Sequence, residues 1–225
     1  MNPAADPTPA PGPADATLDE LRMVLAPRVA ANAGFDGWSA VARDMAADEL
    51  GVDRDVARLA LPAATDMIDA WFMRIDAAML AALPPDRLAA MKVRERVTAL
   101  VEARLEAAYD DRESLRRAIA ILAAHPARAA RLGWRTVDLI WRAAGDTAVD
   151  YNHYTKRAIL LGVYGATVTV FLDDRSDAFA DTRAFLRRRI DGVMRFEKLK
   201  AGMTDRARYR PSLSRFVGRL RYPAR

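Results

Sequence analysis

From Thr17 onward the apolar positions of the chain recur at helical spacing, and no stretch alternates with period two. Leu18, Leu21, Leu25 and Val29 share one face of a first predicted helix, which Gly34-Phe35-Asp36-Gly37 breaks. Trp38, Val41, Ala42 and Met45 open a second helix that stops at Gly51, and residues 53–60 form a short third. Ile68, Trp71, Phe72, Ile75 and Met79 make a fourth, ended by Pro84-Pro85. Val97, Leu100, Val101 and Leu105 stripe a fifth, ending near Asp110-Asp111. Leu115, Ile119 and Leu122 stripe a sixth that stops before Pro126. Trp134, Val137, Ile140 and Trp141 line a seventh that Gly145 ends. An eighth runs from about Asp150, a fitting N-cap, to Leu172, and a ninth from about Thr182 to Lys198. The pattern predicts an all-α bundle of about nine helices.

The first three predicted helices have the lengths of a helix-turn-helix, and six larger ones behind them follow the plan of TetR-type regulators. Charge argues against DNA reading. Between Asp36 and Ala60 there are six acids (Asp36, Asp44, Asp48, Glu49, Asp53, Asp55) and three arginines (Arg43, Arg54, Arg58), and phosphates repel such a surface. The helix-turn-helix is therefore expected to be vestigial, with no nucleic acid as partner.

At 225 residues the chain is long enough for one domain with tails. It has no cysteine, which excludes disulfides, thiolate metal sites and a cysteine nucleophile, and its two histidines exclude a histidine-rich metal site. No window approaches 18 uninterrupted apolar residues, so no transmembrane helix is predicted. The net charge of +5 is unevenly spread: Arg183 to Arg225 hold 14 basic residues against three acids, and the rest hold 21 against 27. A mildly acidic body thus ends in a strongly basic tail, which suits an anionic partner. Residues 1–16 are rich in Pro and Ala and lack arginine, which reads as a disordered leader and as neither signal nor transit peptide. That expectation favours a bacterial cytoplasm or a processed organellar chain.

Candidate chemistry is sparse. No nucleophile–base–orienter set and no phosphate loop is present, and neither histidine follows a Glu three residues earlier, so catalytic, metal and cofactor sites are not expected. His125, before Pro126, suits a helix end. Asp138 shares a face with Trp134 and Trp141 and is expected to pair with a nearby cation. The start of the eighth helix packs Asp150, Asn152, His153, Tyr154, Lys156 and Arg157 into two turns, a composition that suits a protein-binding patch or an ordinary amphipathic surface. Further along, Ala158, Gly162 and Ala166 let another helix approach closely, either in a second subunit or within the same one. Trp71, Phe72, Ile75, Leu100, Leu105, Trp134 and Trp141 face inward and can be core or pocket wall. After Pro211, Leu213, Phe216, Val217 and Leu220 form an apolar stripe bordered by Arg215, Arg219 and Arg221. Such a segment can lie on a membrane, or fold onto the body or a partner subunit.

One string is specific: Val137-Asp138, Trp141 and Gly145-Asp146, then Asp150, Asn152, Tyr154-Thr155-Lys156-Arg157-Ala158. It continues through Val163-Tyr164, Thr167, Asp173, Ser176, Thr182, Phe185-Leu186 and Arg189-Ile190, with weaker matches at Gly37-Trp38 and Arg104-Leu105-Glu106. Across residues 18–198 it resembles the ubiquinone-biosynthesis accessory proteins, the ninth of the Coq series, of mitochondria and alphaproteobacteria. The resemblance implies a TetR-like homodimer without DNA binding, and a hydrophobic pocket for an isoprenoid quinone precursor or a phospholipid. It also implies peripheral membrane association, at the cytoplasmic face of a bacterial inner membrane or the mitochondrial matrix side, and help to the hydroxylase acting on demethoxyubiquinone. The seven inward residues would line that pocket, the eighth-helix patch would bind the hydroxylase, and Leu213, Arg215, Phe216, Val217, Arg219 and Leu220 would touch membrane. His153 stands where the family usually has Trp, which weakens the anchor or changes the partner. The expected organisation is a leader (1–16), a helix-turn-helix-like part (17–60), a lipid-binding and dimerisation part (61–200) and a basic tail (201–225). The competing reading is a TetR-type DNA-binding regulator with a lipid effector.

Overall fold

The computed structural model describes residues 16–147 and 151–193. Among them every regular element is helical: α1 (Leu18–Asp36), α2 (Ala40–Glu49), α3 (Arg54–Ala60), α4 (Ala64–Ala82), α5 (Pro85–Ala89), α6 (Val93–Glu106), α7 (Arg112–Ala123), α8 (Pro126–Ala143) and α9 (Tyr151–Asp173). A 3-10 turn (Asp177–Phe179) leads into α10, residues 180–193. The leader, the end of the ninth predicted helix and the basic tail lie outside the described residues, as do Asp150 and the Asn152 side chain.

Local chemistry sets most boundaries. At the start of α1 the Thr17 hydroxyl accepts from the Glu20 amide (3.3 Å) and the Glu20 carboxylate accepts from the Thr17 amide (2.8 Å), a reciprocal cap. The helix runs through Gly34 and ends at Gly37, whose φ of +70° is a conformation glycine tolerates without a Cβ clash. Pro27 sits within α1 on its exposed side. Ser39 and Asp53 cap α2 and α3. Pro85, read as a stop, also starts the five-residue α5, because a first-turn position needs no amide donor.

The core joins Leu21, Leu25 and Val29 of α1 to Ile68, Trp71, Ile75 and Met79 of α4, with Val97, Leu100, Val101 and Leu105 of α6 and Val137 and Ile140 of α8. Each such side chain contributes about 1.5–3 kcal/mol by leaving water. Trp38 fastens the helix-turn-helix-like part to the rest: its ring lies 5.4 Å from Trp71, and its Nε1 donates to the Ser114 carbonyl at 2.9 Å. The second helix corrects its sequence reading. Val41 and Met45 face outward, while Ala42, Arg43, Ala46 and Ala47 are buried. Alanines let α2 lie close against α1, and the Arg43 guanidinium is held by Asp44 (2.8 Å) and the Leu61 carbonyl (3.4 Å).

Under this apolar layer, Arg104 of α6 is fully buried. Its Nε donates to Asp76 of α4 at 2.7 Å, Nη1 donates to the Tyr164 hydroxyl of α9, and the guanidinium lies 5.2 Å from the Phe72 ring. Burial alone would pull the Arg104 pKa down, but Tyr164 and Asp76 outweigh it and hold it above its ordinary value. Burial pushes the Tyr164 phenol up, so it stays neutral. One arginine thereby ties three helices together. The long α9 departs from the sequence expectation in another way: His153–Asp173 reaches the length and mean hydropathy (1.2) of a membrane-crossing segment. Leu160, Val168 and Phe171 of that helix are instead buried against the bundle.

Candidate functional site

The helices α8 and α9 meet at a charged joint. Arg157 is buried, and its Nε donates to Asp138 at 2.6 Å while Nη1 donates to Asp146 and to the His153 carbonyl, both at 3.1 Å. The Lys156 ammonium reaches the other Asp146 oxygen at 2.7 Å and lies 5.5 Å from the Trp141 ring centroid. Trp141 Nε1 in turn donates to the Lys156 carbonyl at 3.2 Å. Burial would raise the Asp146 pKa, but the bonds from Lys156 and Arg157 prevail and hold it below the usual carboxylate range. The expected pairing of Asp138 is thus present, with Arg157 and with Arg142 (2.8 Å). Arg157 itself is corrected: it is an internal strut and offers nothing to a partner.

Beside this joint the aromatic groups turn outward. Tyr154 is 62% exposed, stacks on Trp134 at 6.2 Å, and meets the edge of His153 at 5.1 Å. Of the sequence-derived patch, the described residues leave Tyr154, His153 and Lys156 at the surface, with Trp134 against the Tyr154 ring. Trp134 had been assigned to the pocket, yet its place is under Tyr154. Ala158 and Gly162 are exposed on the same helix, and nothing lies within 4 Å of a Cβ placed on Gly162. Close packing between α8 and α9 occurs at Gly133, where a Cβ would come within 2.7 Å of Leu161.

An apolar cavity of about 230 Å³ opens next to the patch. Its wall is Val93, Arg94 and Val97 of α6, Trp141 of α8, Thr155, Lys156, Ile159, Leu160 and Val163 of α9, and Ile190 and Val193 of α10. Of the seven residues assigned to a lipid pocket, Trp141 alone lines this cavity. Trp71, Phe72, Ile75, Leu100 and Leu105 are buried in the packed core, where α4 and α6 close on each other around Arg104. The sequence pattern found the inward faces but not the gap between them. The wall residues Ile159, Val163 and Ile190 read as ordinary helix stripe, and only the placement of α10 against α6 makes them a cavity.

A second missed feature sets that placement. Asp174 Oδ1 accepts from the Ser176 amide (2.8 Å) and hydroxyl (2.6 Å), and Oδ2 accepts from the Thr182 amide (2.8 Å) and hydroxyl (2.5 Å). Burial opposes this charge, yet the four bonds hold its pKa down to about 2. The turn keeps Ala178 and Phe179 at φ of +49° and +46°, uncommon for residues with side chains, and presses Phe179 against Phe171 (5.6 Å) and Tyr109 (5.4 Å).

The helix-turn-helix-like part was the other candidate interface. The three arginines between Asp36 and Ala60 pair with neighbouring acids: Arg43, which is buried, with Asp44, and the exposed Arg54 and Arg58 with Asp48 (2.6 Å) and Asp55. The Arg54 bond holds Asp48 below the usual carboxylate range. His125 stands at the start of α8 as expected, its Nδ1 2.9 Å from the Ile121 carbonyl. The described residues contain no cluster of three metal-liganding side chains. The membrane set Leu213, Arg215, Phe216, Val217, Arg219 and Leu220 lies outside the described residues.

Comparison with known proteins places both halves of this description. In fold the chain is TetR-like: it superposes on the crystal structure of a TetR transcriptional regulator from Nitrosomonas europaea ATCC 19718 with a TM-score of 0.63 and 26% identity, over 76% of this chain and 97% of that one. Residues 127–197, which build the joint, the aromatic patch and most of the cavity, match the COQ9 family model. Over 58 residues the chain is 47% identical to the mitochondrial ubiquinone biosynthesis protein COQ9 of Bos taurus and 43% identical to that of Homo sapiens. That stretch is 26% of this chain and 18% of either relative. The segment from α8 through α10 is thus similar to COQ9 and sits on a TetR-like fold, and the weaker likenesses at Gly37-Trp38 and Arg104-Leu105-Glu106 fall outside the match.

Proposed function

We propose that the chain is a non-enzymatic lipid-binding protein of ubiquinone biosynthesis, which holds part of an isoprenoid quinone precursor and presents its head group to a hydroxylase acting on demethoxyubiquinone. The observation that carries this reading is the adjacency of the apolar cavity and the Tyr154 patch: Lys156 belongs to both, and Thr155, next to Tyr154 in α9, lines the cavity within the segment that matches COQ9. A long apolar tail leaves a bilayer at about 0.8 kcal/mol per exposed CH₂, so a cavity that covers even part of it lowers the cost of extraction. At about 30 Å³ for each water-sized group, this cavity takes roughly eight heavy atoms. That is one to two isoprene units, and the rest of a tail needs α10 to move or a second subunit to cover it. Ala158 and Gly162, exposed on α9, suit a homodimer contact of that kind. The site of action would be a membrane surface, mitochondrial as in the relatives' names or the cytoplasmic face of a bacterial inner membrane.

Mass spectrometry of lipids extracted from the purified protein tests the proposal. The expected yield is a quinone precursor, another isoprenoid or a phospholipid, sharply reduced by filling the cavity with Ile159→Trp. Finding no lipid after purification without harsh detergent would sink it. A TetR-like DNA-binding regulator is the competing reading, favoured by the fold alone. The surplus of six acids over three arginines between Asp36 and Ala60 speaks against it, and low-salt gel shifts with genomic fragments decide.

A further inference from the structure

The outer face of α2, in the helix-turn-helix-like part, sets large apolar side chains among acids. Val41 (57% exposed) and Met45 (42%) stand one turn apart on the outer side of α2, and α3 exposes Leu59 (67%). Asp44 and Asp48 lie beside the α2 pair at helical spacing, with Glu49, Asp53 and Asp55 close in sequence. Arg43, Arg54 and Arg58 pair with Asp44, Asp48 and Asp55, and the surplus of six acids over three arginines between Asp36 and Ala60 leaves this segment net negative. The result is an acidic surface carrying large uncovered apolar side chains, a poor match to water and to DNA alike.

The same chain holds the complement. Residues 206–225 contain seven arginines and no acid, and Leu213, Phe216, Val217 and Leu220 repeat at i, i+3, i+4 and i+7. We infer that the outer face of α2, with Val41, Met45 and their flanking acids, is the docking site for the chain's own basic C-terminal segment, which it holds away from anionic surfaces until one competes for it. The apolar stripe would lie on Val41 and Met45 as an amphipathic helix lies on an apolar strip, and Arg215 and Arg219 would be drawn by the surplus of acids, adding to the Asp44–Arg43 and Asp48–Arg54 pairs. Twelve residues separate the last described position, Val193, from Arg206, which spans at most roughly 40 Å fully extended and roughly 30 Å with the predicted helix continued to Lys198. The inference does not depend on the lipid cavity.

Because the chain lacks cysteine, disulfide trapping in the full-length protein tests this cleanly. Met45→Cys combined with Phe216→Cys should cross-link within one chain, in dilute protein and low salt, at least about fivefold faster than Asp86→Cys with Phe216→Cys, because docking raises the effective concentration of the pair. Both partner positions are exposed, so neither substitution threatens the fold. Phosphatidylcholine vesicles containing phosphatidylglycerol should suppress the Met45 cross-link, and pure phosphatidylcholine vesicles should not. Equal rates at Met45 and Asp86 would overturn the inference. So would a cross-link that forms only between chains as concentration rises, which would place the segment on a second copy.

Discussion

Arg157 shows how far a residue's surroundings can depart from what its type suggests. Its guanidinium is shared by Asp138 and Asp146, both mostly buried, and removing it leaves Asp138 with Arg142 alone and Asp146 with Lys156 alone. Arg157→Met keeps much of the volume and should destabilise the protein by about 1.5–3 kcal/mol in urea unfolding, with Arg157→Lys in between. A loss under about 1 kcal/mol would mean that water already satisfies the pair. Tyr154→Ala should behave oppositely, costing about 0.5–1 kcal/mol or less because the ring is largely exposed. It should nevertheless reduce hydroxylase co-purification while lipid content stays normal, and unchanged co-purification would demote the patch to ordinary surface. The sequence showed that Asp138 needs a cation, because it shares a face with two tryptophans. It could not show which cation, since Arg157 approaches from another helix across a turn. A composition that reads as surface was for that reason half strut.

At the scale of elements, helix periodicity read the stripes of α4 and α6 correctly and misjudged α2. Alanine carries a weak hydrophobic signal, so Val41 and Met45 outweighed the alanine face on which α2 really packs. Spacing along one helix also says nothing about the gap between helices, and the cavity escaped notice although its wall residues were in plain view. The start of α10 is fixed by Asp174, while Arg94–Asp191 (2.7 Å) and Arg187–Glu102 (3.3 Å) tie its length to α6, and at Asp174 pH gives a handle. The folded pKa of about 2 lies below the ordinary value of 3.8, so the stabilisation is complete above the ordinary value and is lost as pH falls through the folded one. Asp174→Asn should cost about 1.5–3 kcal/mol near neutrality, the range for hydrogen bonds to a charged group. The gap between variant and wild type should close between about pH 4 and pH 2, followed by urea unfolding at each pH. A gap independent of pH would mean the carboxylate charge contributes nothing. At the α8–α9 contact, Gly133→Ala brings a Cβ to 2.7 Å from Leu161 Cδ1. That atom ends a flexible side chain that can turn away, and alanine favours a helix by about 1 kcal/mol over glycine, so the net change in urea unfolding should stay within about 1 kcal/mol; a larger loss would mean that Leu161 is locked in place.

For the whole molecule the decisive quantity is the distribution of charge. Cutting the chain after Gly202 removes seven arginines and one aspartate, which takes the net charge from +5 to −1. An anionic bilayer attracts the full-length chain through its tail at roughly 1 kcal/mol per arginine near the surface. Half-burial of Leu213, Phe216, Val217 and Leu220 would add about 4–6 kcal/mol. Ordering the segment costs about 1–2 kcal/mol per residue before helical hydrogen bonds return part of it. These opposing terms nearly cancel, so binding should be reversible and governed by its electrostatic part. Raising the salt to 1 M contracts the screening length to about 3 Å, shorter than the gap between an exposed guanidinium and most lipid phosphates. Sedimentation with anionic vesicles should therefore be strong at low salt, fade towards 1 M, and vanish for the truncated chain. Thermal stability should hardly change on truncation, because Trp71, Arg104, Arg157 and Asp174 draw their partners from residues before Met194. If the truncated protein still pellets with vesicles, the membrane contact belongs to the body, where the exposed face of α9 is the first place to look. If truncation instead lowers the melting temperature by many degrees, the tail is an integral part of the fold and not a segment that an anionic surface can draw off α2.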